Sequence, residues 1–292
     1  MPEITKEFMI SRIQSLTSAL GWEKTVQYIL KKKIPFEHLH IAEVGCGTGT
    51  FSLIFGLLGA KVVLIDNDPK VIEMAKEVFN IYECRAEFIQ MSVLDTAPEF
   101  LRNRFDLVVS GGLAEHFRGD DRLKCIAFHE ALLREGGFVF IGVPNKLSPF
   151  YQIVRLFRIV TGTWRMAIEI PFSYRELTRT AEQVGLAECE VVGNHPLRKD
   201  LVIYSLGLIS AILELFPDKA RRRIRTIKSK KSIQDNQNYD ARKEILNKIS
   251  SIKEKLASEN RRHLKDFLSA GIILFGSKDI SNADNKQERR KS

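Results

Sequence analysis

The chain has 292 residues, 44% of them hydrophobic, enough to bury the core of one domain with insertions. Its cysteines, Cys46, Cys84, Cys125 and Cys189, form no C-x-x-C pair and no metal-ligand spacing, which argues against a disulfide scaffold or a zinc module and for reduced, cytoplasmic thiols. Met1-Pro2-Glu3 lacks the basic start and apolar core of an export signal, and no run of 18 apolar residues occurs, so a cytoplasmic protein without a spanning helix is expected. The net charge of +9 is uneven. From Asp218 onward there are 21 Lys and Arg against 10 Asp and Glu, while the rest holds 24 against 26. A local excess of this kind suits an anionic partner, and it is also how solvated surface helices look.

Residues 3–33 predict two helices broken at Gly21, with Ile13, Leu16, Leu20, Val26 and Ile29 buried. From 39 to 145 strands alternate with helices, which implies a mostly parallel sheet covered on both faces. The strands are expected at 39–44, 61–66, 86–91, 105–110 and 136–143. A helix from Asp120 to Arg134 starts with acids and stops before Gly136-Gly137. Leu147 to Val160 reads as an amphipathic helix, with Phe150, Ile153, Val154, Phe157 and Val160 on one face and Gln152, Arg155 and Arg158 on the other. A sixth strand is expected near Glu188–Val192 and a seventh near Gly271–Ser277. The roughly 75 residues between them look helical. Leu201–Phe216 is apolar nearly all round, Lys219–Arg225 is basic, Ser232–Asn238 is a polar loop, and Ala241–Leu268 is amphipathic through Ile245, Ile249, Ile252 and Leu256. The tail from Ser281 is charged and poor in apolar residues, and disorder is expected there.

The most informative stretch is Leu39 to Ser52, LHIAEVGCGTGTFS. A short apolar strand runs into Glu43-Val44-Gly45-Cys46-Gly47-Thr48-Gly49, and a helix begins near Thr50. Glycines at alternate positions permit a tight turn and close approach of the backbone to a ligand. The free N–H groups of the helix face the same ligand. A second strand delivers Asp66, 21 residues after Gly45, where a dinucleotide-type fold places a ribose-binding carboxylate. A nicotinamide site would show G-x-G-x-x-G, which is absent.

The loop instead resembles motif I of the class I S-adenosylmethionine-dependent methyltransferases. Further blocks are similar in order: Ile65-Asp66-Asn67-Asp68-Pro69, Arg104 to Ser110, Glu115-His116, Gly136 to Ile141, Phe172-Ser173 to Gly185-Leu186, and Gly271 to Gly276. The resemblance is to the small-molecule, ubiquinone-type O-methyltransferase branch. It implies a Rossmann-like, doubly wound α/β fold, mostly parallel with an antiparallel last strand, and a helical insertion between the last two strands. The expected organisation is N-terminal helices at 1–35, a methyltransferase domain at 36–198 and 269–280, a basic helical insertion at 199–268 and a disordered tail at 281–292.

S-adenosylmethionine needs an open backbone for its methionine end, an acceptor for its ribose hydroxyls and an apolar slot for adenine. Gly45, Gly47 and Gly49 supply the first, with Cys46 as a small residue between them. The resemblance puts Glu43 near the methionine amine. Asp66 suits the ribose, because a carboxylate accepts from both vicinal hydroxyls. Asn67 follows at the adenine edge. The resemblance implies that the loop after the third strand closes on adenine. It reads Met91-Ser92-Val93 here, so Ser92 stands where an Asp is frequent and Asp95 is read as a turn or cap. Ser110 is expected at the pocket.

Methyl transfer is an in-line displacement from an already activated sulfonium, so positioning does most of the work. An oxygen or nitrogen acceptor also benefits from a general base, and His116 is the candidate. In the ubiquinone-type branch a metal-binding carboxylate lies three residues before the Glu of this pair. Gly112 holds that place here, so no metal is expected. The acceptor pocket is expected from Ser110, Gly111, Gly112, Pro144, Asn145, the 147–163 helix and the 199–225 insertion, with Phe150, Tyr151, Trp164, Tyr204 and Phe216 as apolar surface. Three roles for the insertion stay open: added core, a lid over a small or lipid-like acceptor, and a peripheral contact with an anionic membrane surface. The lid is preferred over the membrane contact. An RNA-directed enzyme using the basic stretch ranks lower, since aromatic interleaving is sparse. A non-catalytic cofactor-binding protein is the remaining alternative. Oligomeric state is not legible.

Overall fold

The computed structural model describes residues 5–164, 169–194, 204–205, 208–209, 212, 239–256, 269 and 271–278. In chain order it forms α1 (Lys6–Thr17), α2 (Leu20–Lys31), β1 (His40–Val44), α3 (Thr50–Gly56), β2 (Lys61–Asp66), α4 (Pro69–Ile81), β3 (Glu87–Gln90), β4 (Phe105–Gly111), α5 (Gly119–Leu132), β5 (Leu133–Pro144), α6 (Pro149–Val160), α7 (Tyr174–Gln183), β6 (Leu186–Gly193), α8 (Ala241–Leu256) and β7 (Gly271–Lys278). The seven strands form one sheet in the order β3-β2-β1-β4-β5-β7-β6. Only β7 is reversed, antiparallel to both β5 and β6. The expected doubly wound sheet with an antiparallel last strand is what the chain forms.

Alternate residues of each strand point to opposite faces, and both faces are covered. Ile41, Val62, Leu64, Leu107, Phe138 and Ile273 pack under α1 to α4 and α8. Ala42, Val63, Val108, Val139, Ile141 and Leu274 pack under α5 and α7. This double burial is why the strands read as continuous apolar runs. In α8, Ile245, Ile249 and Ile252 are buried in the same core as Met9, Trp22 and Ile29 of α1 and α2.

Two boundaries differ most from the sequence expectation. The first two helices break at Ser18-Ala19, and Gly21 lies inside α2. Gly21 is a packing glycine: a Cβ there would lie 2.2 Å from Ile273 Cδ1 and 2.9 Å from Phe140 Cε2. Of the positions expected to be buried in this region, Leu16 and Leu20 are only half-buried. The fifth strand starts at Leu133 rather than Gly136, because Leu133 already pairs with Phe105. Gly137 is inside that strand and approaches the Phe105 carbonyl too closely for a side chain. Finally, helix α8 is described only to Leu256. The readings for 213–238, 257–268 and the tail from 281 fall outside the described residues, and so does most of Leu201–Phe216. No helix among the described residues is long and apolar enough to cross a membrane.

Candidate active site

β1 has β2 on one side and β4 on the other, so the strand order reverses there. A cavity of about 390 Å³ opens at the carboxyl ends of β1, β4 and β5, the crevice where such sheets bind ligands. One part of its wall is Glu43, Gly45, Cys46, Gly47, Thr48 and Thr50. Another is Ser110 to Gly112, Glu115, Val143, Pro144, Tyr151 and Tyr204. Arg12, Leu16, Ala19 and Trp22 complete it from the N-terminal helices.

The glycine loop has the geometry its sequence implies. Gly47 has φ +53° and a Cβ there would meet nothing within 4 Å, so the loop presents bare backbone. Gly49 caps α3 with φ +66°, where a Cβ would collide with Leu64. Glu43 ends β1 deep in the wall and accepts from the Ser52 amide at 2.9 Å. Burial pushes its carboxyl up to about 7, against the lowering effect of the Ser52 hydrogen bonds and the Arg12 guanidinium. Cys46 is a buried thiol whose pKa burial raises, so it is inert.

Asp66 is not part of the cavity wall itself. Its carboxylate is tied to the loop, accepting from Gly47 N at 3.5 Å and from Asp68 N at 3.1 Å. Asn67 is exposed, and its carbonyl accepts from Gln90 Nε2 at 3.5 Å. Ser92 spends its hydroxyl on the Leu94 amide at 3.1 Å, and Val93 is buried in the core. Ser110 is buried at the cavity with its Oγ unpartnered.

Three buried polar atoms of wall residues have no partner: Trp22 Nε1, Ser110 Oγ and Glu115 Oε2. Such groups are costly unless a ligand or water satisfies them. Together with the bare loop backbone, they fit a polar ligand with donors and acceptors along its length.

Glu115 and His116 lie on a one-turn 3-10 helix, Ala114–His116, just past β4. Glu115 lines the cavity, whereas His116 is half-buried and is not one of its wall residues. Burial pushes the Glu115 carboxyl up to about 7. Glu169 joins them, and ligand atoms of Glu115, His116 and Glu169 lie within 4.8 Å of one another. Tyr151 donates to Glu169 Oε2 at 2.8 Å, and Arg155 donates to its carbonyl at 3.1 Å. Arg122 fixes the segment that follows, donating to Glu176 and to the Ile170 carbonyl and lying 3.7 Å from the Phe172 ring centroid. The expectation of no metal rested on Gly112. Glu169 brings a third donor from elsewhere, so two carboxylates and an imidazole stand where a divalent cation could be held.

The expected pocket residues divide. Ser110, Gly111, Gly112, Pro144, Tyr151 and Tyr204 line the cavity, whereas Phe150 and Trp164 do not. Phe216 falls outside the described residues. Asn145 is fully buried and structural, donating to the Ser269 carbonyl at 2.7 Å and accepting from the Leu147 amide at 3.0 Å. Sequence reasoning missed Arg12, Trp22, Asn194 and Glu169. None lies in a motif. Arg12 lies among polar residues of α1, and its Nε donates to Thr50 Oγ1 at 3.4 Å.

A switch-point cavity with an acidic β1 end and three left-handed glycines, beside an acid that ends β2, defines a class. The chain belongs to the class I S-adenosylmethionine-dependent methyltransferases, and S-adenosylmethionine is its cofactor. A family model described as a methyltransferase domain matches residues 41–137. Within the class the chain belongs to the ubiquinone-type branch. It is 30% identical over 185 residues to the ubiquinone biosynthesis O-methyltransferase of Coxiella burnetii, spanning 59% of this chain and 74% of that one. Against the enzyme of the same name from Pelagibacter ubique it is 29% identical over 119 residues, 40% of this chain and 47% of the relative, so the chain spans about half of that protein. Among solved structures, the proposed sarcosine dimethylglycine methyltransferase of Galdieria sulphuraria matches with a TM-score of 0.54 at 11% identity, covering 89% of this chain and 86% of that one. That likeness speaks to the fold.

Proposed function

We propose that the chain methylates an oxygen or nitrogen of a small, lipid-like acceptor, with His116 taking the proton. S-adenosylmethionine supplies a methyl group already activated on a sulfonium. Glu43 holds the donor's ammonium, the loop from Gly45 to Gly49 receives its carboxylate end, and Asp66 accepts from its ribose hydroxyls. The acceptor lies against Ser110, Pro144, Tyr151 and Tyr204. As its lone pair forms the bond to the methyl carbon and the sulfur–carbon bond breaks, its O–H or N–H proton passes to His116. The carboxylates of Glu115 and Glu169 stabilise the resulting imidazolium. A divalent cation held by these three groups would instead lower the acceptor's own pKa.

The observation that carries this reading is one cavity lined both by the glycine loop and by Glu115, whose carboxylate clusters with His116 and Glu169. The lipid-like acceptor is supported by the apolar side chains of the wall, Leu16, Trp22, Phe51, Phe140, Val143 and Ile272 among them. The test is transfer of a tritiated methyl group from S-adenosylmethionine into an extract partitioned between organic and aqueous phases. Label should enter the organic phase and fall about 10² to 10⁴-fold with His116→Ala, the usual general-base contribution. Undiminished label in the variant removes His116 from the mechanism, and aqueous label removes the lipid-like acceptor.

A further inference from the structure

The junction between α1 and α2 has little capping of its own. No basic side chain stands in the last turn of α1 to meet the partial negative charge of its C-terminus. The residue that precedes α2 is Ala19, which has no side-chain oxygen to cap that helix. Both deficits are made good from the connection between β6 and β7. Lys248 of α8 donates to Thr17 Oγ1 at 2.6 Å and to Ser18 Oγ at 3.3 Å, at the end of α1. It brings a cation to that helix end from 231 residues further along the chain. Asn194, just past β6, accepts from the Leu20 amide at 2.9 Å, in the first turn of α2. The start of the connection and its helix thus both grip the junction.

The junction is also part of the cavity. Leu16, Ala19 and Trp22 belong to the wall and flank Thr17 and Ser18 in sequence. Arg12, on the same helix as Thr17, reaches the wall and donates through Nε to Thr50 Oγ1. Thr50 shares a hydrogen bond of 2.6 Å with Thr48 of the glycine loop. A line of contacts therefore runs from Lys248 along α1 to the loop. Its starting point is firm. Glu244 Oε1 holds the Lys248 ammonium at 3.1 Å from one turn earlier on α8, and Ile245, Ile249 and Ile252 bury α8 in the same core as Met9 and Trp22. Its receiving end is firm as well: Thr17 is buried, and its hydroxyl donates to the Ile13 carbonyl at 2.8 Å.

We propose that Lys248 is a positioning residue for the methyl donor. By fixing the α1–α2 junction it holds Arg12 against the glycine loop and Trp22 in the cavity wall, so that the β6–β7 connection sets the affinity for S-adenosylmethionine. This rests on the reading that the donor occupies the part of the cavity beside Thr48 and Thr50. It uses no residue of the proton-accepting cluster.

The test is calorimetry with S-adenosylhomocysteine on the full chain. Lys248→Met keeps most of the stem and removes the ammonium, and affinity should fall about three- to tenfold, the scale of one hydrogen bond. Lys248→Arg should recover most of the loss, because a guanidinium can donate to both hydroxyls. Lys253→Met removes an equal charge from an exposed position of α8 and should bind as the parent does. Thr17→Val removes the acceptor from the other side and tests the same contact independently. It should weaken binding by a similar factor, and its combination with Lys248→Met should cost no more than either alone. Trp22 gives a second readout. The chain has two tryptophans, so Trp164→Phe leaves Trp22 as the only emitter. S-adenosylhomocysteine should change that emission, and Lys248→Met should need about three- to tenfold more ligand for the same change. Parent affinity in a folded Lys248→Met variant overturns the proposal, even where its melting temperature has dropped, because the lysine is then merely structural. An equal loss in Lys253→Met, or losses that add in the double variant, also overturns it. Trp22 emission that ignores S-adenosylhomocysteine while calorimetry reports binding overturns the donor placement, and the proposal with it.

Discussion

The proposed donor part and the proposed acceptor part of the cavity are built in different ways. The donor part comes mostly from one short stretch, Glu43 to Thr50, with Asp66 one strand away. Its geometry is dictated locally, by glycines with positive φ and a strand end that aims a carboxylate. The acceptor part is assembled from β4, the turn at Glu115-His116, α6, the Glu169 segment and Tyr204. There each residue depends on tertiary neighbours, such as Arg122 fixing the segment after Glu169. Chemistry carried by backbone conformation travels in a motif, whereas chemistry carried by long-range side-chain meetings does not.

Several changes would break or sharpen that contrast. The largest expected effect on binding is at Asp66. Asp66→Ala should weaken S-adenosylhomocysteine by about 1.5–3 kcal/mol, the range for hydrogen bonds to a charged group, read by calorimetry. Unaltered affinity would remove Asp66 from the ribose.

Glu43 should give a pH dependence. Its carboxyl is raised to about 7, so the unliganded protein keeps that proton up to near neutrality. A raised carboxyl favours the folded state below its ordinary value of 4.5, and that contribution is lost as pH rises through about 7. The unliganded melting temperature should therefore drop as pH rises from about 4.5 to about 7 and level off above that. A donor ammonium beside Glu43 favours ionisation, so cofactor binding should release a proton and strengthen with pH, by up to about tenfold per unit below neutrality. Glu43→Gln should flatten both slopes. A slope surviving in that variant points to another group.

A smaller effect is expected at Gly47. Gly47→Ala meets no steric neighbour, so its cost is the left-handed backbone alone, about 1–2 kcal/mol of stability, measured by denaturant unfolding. A cost well above this would mean that the loop is packed against something else.

Much of the fold was legible in the sequence. Doubly buried strands give apolar runs, and all seven fall where those runs lie, with ends shifted by a few residues. Gly21 was misread because a glycine in a helix can mark either a break or a close approach, and only the meeting with Ile273 and Phe140 tells them apart. Ser92 and Val93 were read as adenine contacts by their place after β3. One hydroxyl is taken by its own turn and the other side chain packs in the core. Glu169 had no pattern to betray it, since nothing local connects it to Glu115. The direction of α6 was equally hidden: Ile153, Leu156 and Val160 are exposed while Tyr151 is buried, and an amphipathic pattern says that two faces differ, not which one meets the protein.

The central claim is that one cavity has a donor part and a proton-accepting part that act separately. The most direct test is single-turnover methyl transfer by Asp66→Ala and His116→Ala across a range of donor concentrations. The account predicts opposite losses. Asp66→Ala should need about tenfold or more donor yet approach the parent rate at saturation, whereas His116→Ala should half-saturate normally and stay slow at every concentration. Loss of both properties in both variants would contradict the account.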